Sequence, residues 1–250
     1  MKTPFDVVQL SSKVWNIVAW REEGVIFLKE VHNLENEMNL VTYSNPNSQY
    51  NPRHLCLNLM RILLSLPSNH VMDEHEKHMK IGRVSLNNLT LLTLSEVNAI
   101  DEDGNDIKIA NRRHDWKDRQ EKEDYFAQRW LQLWAYAQLA NQKTIIMAKK
   151  RANTLLSVEE INASTDAMIE LMERELADGA TFSGKNATWS GEASFDFLYR
   201  VLVLIHELLT SPRTLPGRVI QLTYKQGKTS VIYPRFLSAS ESEQIKVANV

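Results

Sequence analysis

Apolar β-branched and aromatic residues concentrate in three stretches of the chain, and polar turn residues interrupt each of them. The stretches run over about residues 13–31, 89–110 and 217–233. Their centres carry Gly24, the acidic run Asp101–Asp106 and Gly227, residue types that accept positive φ or close tight turns. The pattern therefore predicts three β-hairpins.

Four other stretches carry apolar residues at the spacing of a helix. They cover about residues 52–66, 116–141, 157–177 and 194–210. Pro52 suits a first helical turn, and Ser157 with Glu160 three residues on fits a capping box. The last stretch is apolar nearly all round, which predicts a helix buried at the centre of the core. Together with the hairpins, these helices predict an α+β fold.

The length and composition of the chain suit a globular fold. It has 250 residues, of which 43% are hydrophobic, enough to bury a substantial core. We predict a single compact α+β domain over residues 1–236. The alternative is two lobes in contact, a hairpin-rich lobe over 1–115 and a helical lobe with the C-terminal hairpin over 116–236. Residues 237–250 are polar and small, and we expect a flexible tail there.

Charge and cysteine content exclude several classes of protein. The formal net charge is −2, so attraction to a polyanion must come from a local patch. Cys56 is the single cysteine, which rules out an intramolecular disulfide and a four-thiolate zinc site. The first residues lack the apolar run of a secretory signal, and the apolar stretch Phe195–Leu209 is too short and too interrupted to span a bilayer. We therefore expect a cytoplasmic protein with no membrane span and no cofactor.

Basic residues are segregated toward the C-terminal hairpin. No Asp or Glu occurs between Leu208 and Ser240, and a second basic run begins at Lys143. A hairpin with a basic turn can follow a phosphate backbone, and exposed aromatic rings can stack on unpaired bases. The predicted nucleic-acid-binding residues are Lys143, Lys149, Lys150, Arg151, Arg213, Arg218, Tyr224, Lys225, Lys228 and Arg235. The alternative is that the tyrosines face the core and the lysines only solubilise a hairpin.

One short segment concentrates residues that can bind a metal ion. His70, Asp73, His75 and His78 occur within nine residues, and two imidazoles with a carboxylate can hold one ion. The spacing differs from the zincin pattern, in which the two histidines lie four residues apart on one helix face. A solvated charged loop explains the segment equally well, so the metal site is an alternative prediction.

Three aromatic residues lie four positions apart in the second predicted helix. Phe126, Trp130 and Trp134 would form a stripe that could anchor another subunit, although an ordinary core stripe has the same spacing.

No serine, kinase or dinucleotide signature of catalysis occurs in the sequence. The first hypothesis is therefore a nonenzymatic interaction or assembly protein, a viral or phage component, that binds nucleic acid or an acidic protein surface as a homo-oligomer or larger assembly. The alternatives are a metal-dependent hydrolase that uses the His70–His78 cluster, and a structural oligomeric scaffold built on the aromatic stripe.

Overall fold

The computed structural model describes residues 14–30, 78–151, 154–177, 189–225 and 231–247. In chain order its elements are β1 (Val14–Glu22), β2 (Val25–Glu30), β3 (His78–Leu86), β4 (Leu89–Val97), β5 (Ala99–Ile100), β6 (Asp106–Arg113), α1 (Arg119–Tyr125), a π-helical segment (Phe126–Trp130), α2 (Leu131–Leu139), β7 (Thr144–Arg151), β8 (Thr154–Asn162), α3 (Thr165–Ala177), α4 (Gly191–Thr210), β9 (Val219–Lys225), β10 (Val231–Phe236) and α5 (Ala239–Val247). The predicted α+β class is confirmed.

The chain divides into two compact units that do not follow the predicted lobes. The first unit combines residues 1–47 with 192–250, and the second comprises residues 48–191. Strand β1 pairs with β9 in one sheet, whereas the predicted alternative boundary at residue 115 would place these strands in different lobes. No helix in the described ranges is long and apolar enough to cross a bilayer.

The first unit is built on an antiparallel sheet in the order β10-β9-β1-β2. Both predicted hairpins of this unit, β1–β2 and β9–β10, are confirmed. Val201, Ile205 and Leu209 of α4 recur every four residues and pack with Ile220 and Leu222 of the sheet. These positions form one buried face, so α4 is a one-sided helix and not the helix buried on several sides that we predicted.

The second unit contains the hairpin β3–β4 and a mixed sheet in the order β5-β6-β7-β8. The parallel strands β6 and β7 are joined by the helical run over 119–139, which confirms the helix predicted over 116–141. The hairpin predicted over 89–110 was mostly wrong. Leu89–Val97 pairs with β3 around Asn87, whose φ of 52° suits asparagine, and only Ala99–Ile100 pairs with β6.

The helix predicted over 157–177 begins eight residues later than expected. Ser157 lies in β8, opposite Lys149 of β7, a strand absent from the prediction. The real cap is Ser164, whose Oγ accepts a hydrogen bond of 3.4 Å from the Ala167 backbone N–H. Pairing with β7 overrides the capping signal at Ser157. The helix predicted over 52–66 lies outside the described residues, and the expected flexible tail over 237–250 contains α5.

Candidate functional site

Strand β6 presents two cations to the helical run that follows it. Side chains alternate along a strand, so Lys108 and Arg112 share one face of β6. The Lys108 ammonium lies 4.6 Å from the centre of the Tyr136 ring in α2. The Arg112 guanidinium lies 5.9 Å from the centre of the Phe126 ring. We call this line of contact between β6 and the helical run the β6–helix seam.

The end of strand β4 supplies polar groups to the same place. Tyr136 Oη donates a hydrogen bond of 2.9 Å to the Glu96 carbonyl and accepts one of 2.7 Å from the Glu96 N–H. Asn98 Oδ1 accepts from the Ile109 N–H at 3.0 Å, and Asn98 Nδ2 donates to Glu96 Oε1 at 3.3 Å. Glu96, Asn98, Lys108 and Tyr136 therefore form one connected group, which we call the polar centre.

Burial shapes the charges of the polar centre. Burial lowers the pKa of Lys108 below its ordinary value, although the negative charge of Glu96 acts in the opposite direction. Burial also raises the pKa of Tyr136, so its phenol keeps the proton that it donates to the Glu96 carbonyl. The centre therefore places a partly desolvated ammonium within electrostatic range of a carboxylate, and such groups are common at functional sites.

A neighbouring carboxylate of β6 is already neutralised. Asp106 lies at the start of the strand and is 7% exposed. Its Oδ2 lies 2.7 Å from Lys80 Nζ of strand β3. The Lys80 ammonium therefore balances the charge of the buried Asp106 carboxylate.

A groove of about 790 Å³ runs along the other part of the seam, between Ala110–Arg113 of β6 and the helical run. Its lining includes the cations Arg113, Arg129 and Lys150, the carboxylates Glu121 and Asp124, and the aromatic rings of Trp116 and Tyr125. Arg113 Nη1 pairs with Glu121 Oε1 at 2.9 Å, so Arg129 and Lys150 are the cations of the groove with no ion pair among the described residues. Ala110 and Lys108 are alternate residues of one strand face, about 6.6 Å apart along the strand. The groove therefore begins one strand repeat from the polar centre.

Ion pairs beneath the groove hold Arg112 in place. Its Nη2 lies 2.5 Å from Glu175 Oε1, and Lys149 pairs with Glu159 while its ammonium lies 3.7 Å from Glu175. Burial raises the pKa of Glu175, but the hydrogen bond and charge of Arg112, with the neighbouring lysines, outweigh it and leave the pKa below its ordinary value. Lys149 is thus part of an internal charge cluster.

The remaining cations of the predicted basic run in the second unit reach its surface. Lys150 lines the groove described above, whereas Arg151 and Lys143 are exposed. These three lysine and arginine side chains stay predicted contacts for nucleic acid.

The predicted basic residues of the first unit whose side chains are described are exposed, and two of them already have partners. Arg235 pairs with Glu241 at 3.1 Å, and Arg218 Nη1 donates to the Leu237 carbonyl at 3.2 Å. Tyr224 is 2% exposed, so its ring cannot stack on a base and its prediction was wrong. Arg213 is exposed, and Lys225 and Lys228 have no described side chains.

The predicted metal-binding segment lies mostly outside the described residues. His70, Asp73 and His75 lie outside the described residues, and His78 opens strand β3. Within the described part of the chain, no three His, Cys, Asp or Glu side chains come together in a way that could hold a metal ion.

The aromatic stripe belongs to the core of the second unit. Phe126 and Trp130 are 0% exposed and Trp134 is 1% exposed, so the stripe offers no subunit interface.

The sequence did contain an overlooked signal for the polar centre. Glu96 and Asn98 are polar residues near the end of a stretch rich in leucine, and Lys108 stands between isoleucines in a strand. Polar residues at partly buried strand positions need partners, and that need points to a site. The part that Tyr136 plays in the polar centre could be seen only in the tertiary structure, because Tyr136 in α2 lies 40 residues from Glu96 in β4.

Solved structures of low sequence identity share this fold. Rai1 of Candida albicans, solved in complex with pU5-Mn2+, has a TM-score of 0.62 and 13% identity, with 97% of this chain and 67% of that chain covered. Rai1 of Scheffersomyces stipitis gives a TM-score of 0.67 and 11% identity, with coverage of 97% and 65%. Dxo1 of K. lactis, solved with manganese, gives 0.58 and 14%, with coverage of 95% and 65%. The chain thus spans about two thirds of the length of these proteins.

Sequence comparison overturns our first functional hypothesis. No curated protein sequence matches the chain, but a family model described as "RAI1 like PD-(D/E)XK nuclease" matches residues 1–247. A nonenzymatic assembly protein of viral or phage origin, acting through a basic C-terminal hairpin, was therefore the wrong prediction, and nothing supports an oligomer. The alternative class, a hydrolase, was the better one. The match covers nearly the whole sequence, and the chain belongs to the RAI1-like PD-(D/E)XK nuclease family.

Proposed function

We propose that the protein is a nuclease that acts on RNA, with its substrate lying along the β6–helix seam. Membership of a nuclease family supports the class of reaction. A relative of the same fold was solved with pU5, a short 5′-phosphorylated RNA, which supports the class of substrate. The observation that carries the proposal is the polar centre, where the Lys108 ammonium and the Glu96 backbone both contact Tyr136, at the end of a groove that Arg129 and Lys150 line.

The groove has the chemistry of a single-strand binding surface. Arg129 is exposed and Lys150 is half-buried, so both can contact phosphates from the two sides of the groove. The rings of Trp116 and Tyr125 pack at 5.1 Å in the same groove and offer faces on which bases can stack. A single strand bound here would run toward Ala110 and the polar centre.

The polar centre can contribute to hydrolysis of a phosphodiester. The Lys108 ammonium would bind a non-bridging oxygen of the scissile phosphate and offset the charge that develops there. The Glu96 carboxylate would accept a proton from the attacking water. The water oxygen forms the new bond to phosphorus, the bond to the leaving oxygen breaks, and that oxygen takes a proton from solvent. Tyr136 holds the Glu96 backbone in place through its two hydrogen bonds.

A cleavage assay tests this proposal directly. The full chain is incubated with 5′-phosphorylated pentauridylate, once with Mn²⁺ and once with EDTA, and the products are separated by length. We expect shortened RNA, and a loss of rate of about a hundredfold or more in Glu96→Gln, which removes the proton acceptor and keeps the side-chain shape.

Two controls make the result specific. A DNA strand of the same length tests whether the sugar matters, and Glu102→Gln changes an exposed acidic residue in the β5–β6 turn. Intact RNA under both conditions, or equal rates for wild type and Glu96→Gln, would refute the proposed nuclease site.

A further inference from the structure

The family name and two of the relatives imply a divalent metal ion at the functional site. The name describes an acidic residue, any residue and a lysine, and two of the structures contain manganese. Manganese and similar hard cations need several oxygen ligands, most of them carboxylates. Whether this chain can supply them is decided by the donor atoms around the polar centre.

The available oxygens do not form such a set. The sequence pattern acid-X-lysine occurs in β6 at Asp106-Ile107-Lys108, but Asp106 is buried and paired with Lys80. Asn98 Oδ1 already accepts a hydrogen bond from the Ile109 N–H, and the amide carries no charge. That leaves the Glu96 carboxylate as the acidic group of the polar centre. Over the described ranges no cluster of three potential ligands exists, so the described residues of the polar centre do not by themselves form the oxygen-rich set that such a metal ion needs.

A cation of the protein itself occupies this place. Lys108 is close enough to Glu96 for the two charges to influence each other, and its ammonium is held against the Tyr136 ring at 4.6 Å. In the described part of the chain Lys108 has no carboxylate within 4 Å. An ammonium at this position attracts a phosphate oxygen, which is the charge preference of a phosphate site.

We infer that the polar centre binds the phosphate of RNA without a divalent metal ion, because the ammonium of Lys108 supplies the positive charge that a bound cation would otherwise provide. The inference rests on the proposed function, since it takes RNA as the ligand of this site. It concerns binding and not cleavage, so the two can fail separately.

Binding measurements with the full chain test the inference. Fluorescently labelled 5′-phosphorylated pentauridylate is titrated in EDTA and again with saturating Mn²⁺. We expect Kd values that agree within about twofold in the two solutions. Lys108→Ala should weaken binding about tenfold in EDTA, which is the effect of losing one charge-assisted phosphate contact. Lys108→Arg keeps the charge and should stay within about threefold of wild type.

A matched variant separates local contact from net charge. Arg83→Ala removes one cation from an exposed position of strand β3 and should leave the Kd nearly unchanged. Thermal unfolding of each variant checks that it is folded, so that the Kd values of folded proteins are compared. A wild-type affinity that falls tenfold or more in EDTA overturns the inference, as does equal weakening by Lys108→Ala and Arg83→Ala. Metal-independent binding with intact RNA would retain this inference and refute only the proposed cleavage.

Discussion

The ammonium of Lys108 lies 4.6 Å from the centre of the Tyr136 ring, and the hydroxyl of that ring holds the backbone of Glu96. One tyrosine therefore touches both charged members of the polar centre. A ring face attracts a cation, and the attraction grows when the pair is withdrawn from water. Tyr136 thus contacts the Lys108 ammonium with its ring face and the Glu96 backbone with its hydroxyl.

The first prediction separates these two roles of Tyr136. Tyr136→Phe keeps the ring face over Lys108 and removes both hydrogen bonds to Glu96, and we expect a loss of about 1–2 kcal/mol in the free energy of unfolding. Tyr136→Leu removes the ring face as well and should weaken RNA binding further. Chemical denaturation and RNA titration measure the two effects. Identical RNA affinities for the two variants would contradict a role of the ring face.

The second prediction concerns the cost of burying Lys108. Burial lowers its pKa, so the charged form is disfavoured in the folded state. Lys108→Met keeps a flexible chain of similar length without the charge, and we expect a Tm that does not fall while RNA binding weakens about tenfold. Differential scanning calorimetry and titration check this pair of outcomes. A large fall in Tm would show that the lysine stabilises the fold, contrary to the expectation.

The third prediction uses the lowered pKa of Glu175. A carboxylate whose folded pKa lies below its unfolded value stabilises the protein above the unfolded pKa, and this contribution is lost as the pH falls through the folded pKa. At neutral pH, Glu175→Gln should cost about 3 kcal/mol, because Arg112 loses its charged partner at 2.5 Å. In acid the wild-type carboxyl is itself protonated, so the difference between the two proteins should shrink.

Denaturation curves of both proteins from neutral pH down to below the ordinary carboxyl pKa measure this difference. Glu170→Gln, on an exposed position of the same helix, serves as the control. A difference that is independent of pH would show that the Arg112–Glu175 contact is not an ion pair in solution.

Local sequence signals predicted the elements that depend on local chemistry. The hairpin around Gly24 follows from its turn residue, and the helical run over 119–139 follows from apolar residues at helical spacing. Strand β7 and strand β8 were missed because their stability comes from pairing with each other and with β6, which no local signal encodes. The capping pattern at Ser157 failed for the same reason.

The candidate site was harder to predict than the fold. Its members come from β4, β6 and α2, and the pairing of Asn98 with Ile109 becomes visible only once the strands are placed. Clustered histidines and basic runs stand out in a sequence, whereas the polar centre consists of single residues spread over the chain. Lys150 was predicted as a contact residue from its basic neighbours, and the structure places it in the groove.

The fourth prediction concerns the aromatic stripe that the sequence offered as an interface. Trp130 is fully buried, and its Nε1 donates a hydrogen bond of 2.8 Å to the Met168 carbonyl in α3. Trp130→Ala should therefore cost about 3–5 kcal/mol in the free energy of unfolding. Light scattering of the folded fraction should show no change in particle mass. A change of mass with unaltered stability would revive the scaffold hypothesis.

The last prediction tests the groove separately from the polar centre. Lys150→Ala and Arg129→Ala each remove one cation that faces the groove. Each contact with a phosphate releases a counterion, so the slope of log Kobs against log salt should become less negative by about 0.7 in each variant, the value for a single strand. Arg174→Ala, an exposed cation on α3, should leave the slope unchanged. Lys108 lies at the other end of the seam from Lys150. In the double variant Lys108→Ala, Lys150→Ala, the loss in binding free energy should therefore equal the sum of the losses in the two single variants. Wild-type slopes in both groove variants would place the RNA elsewhere on the protein.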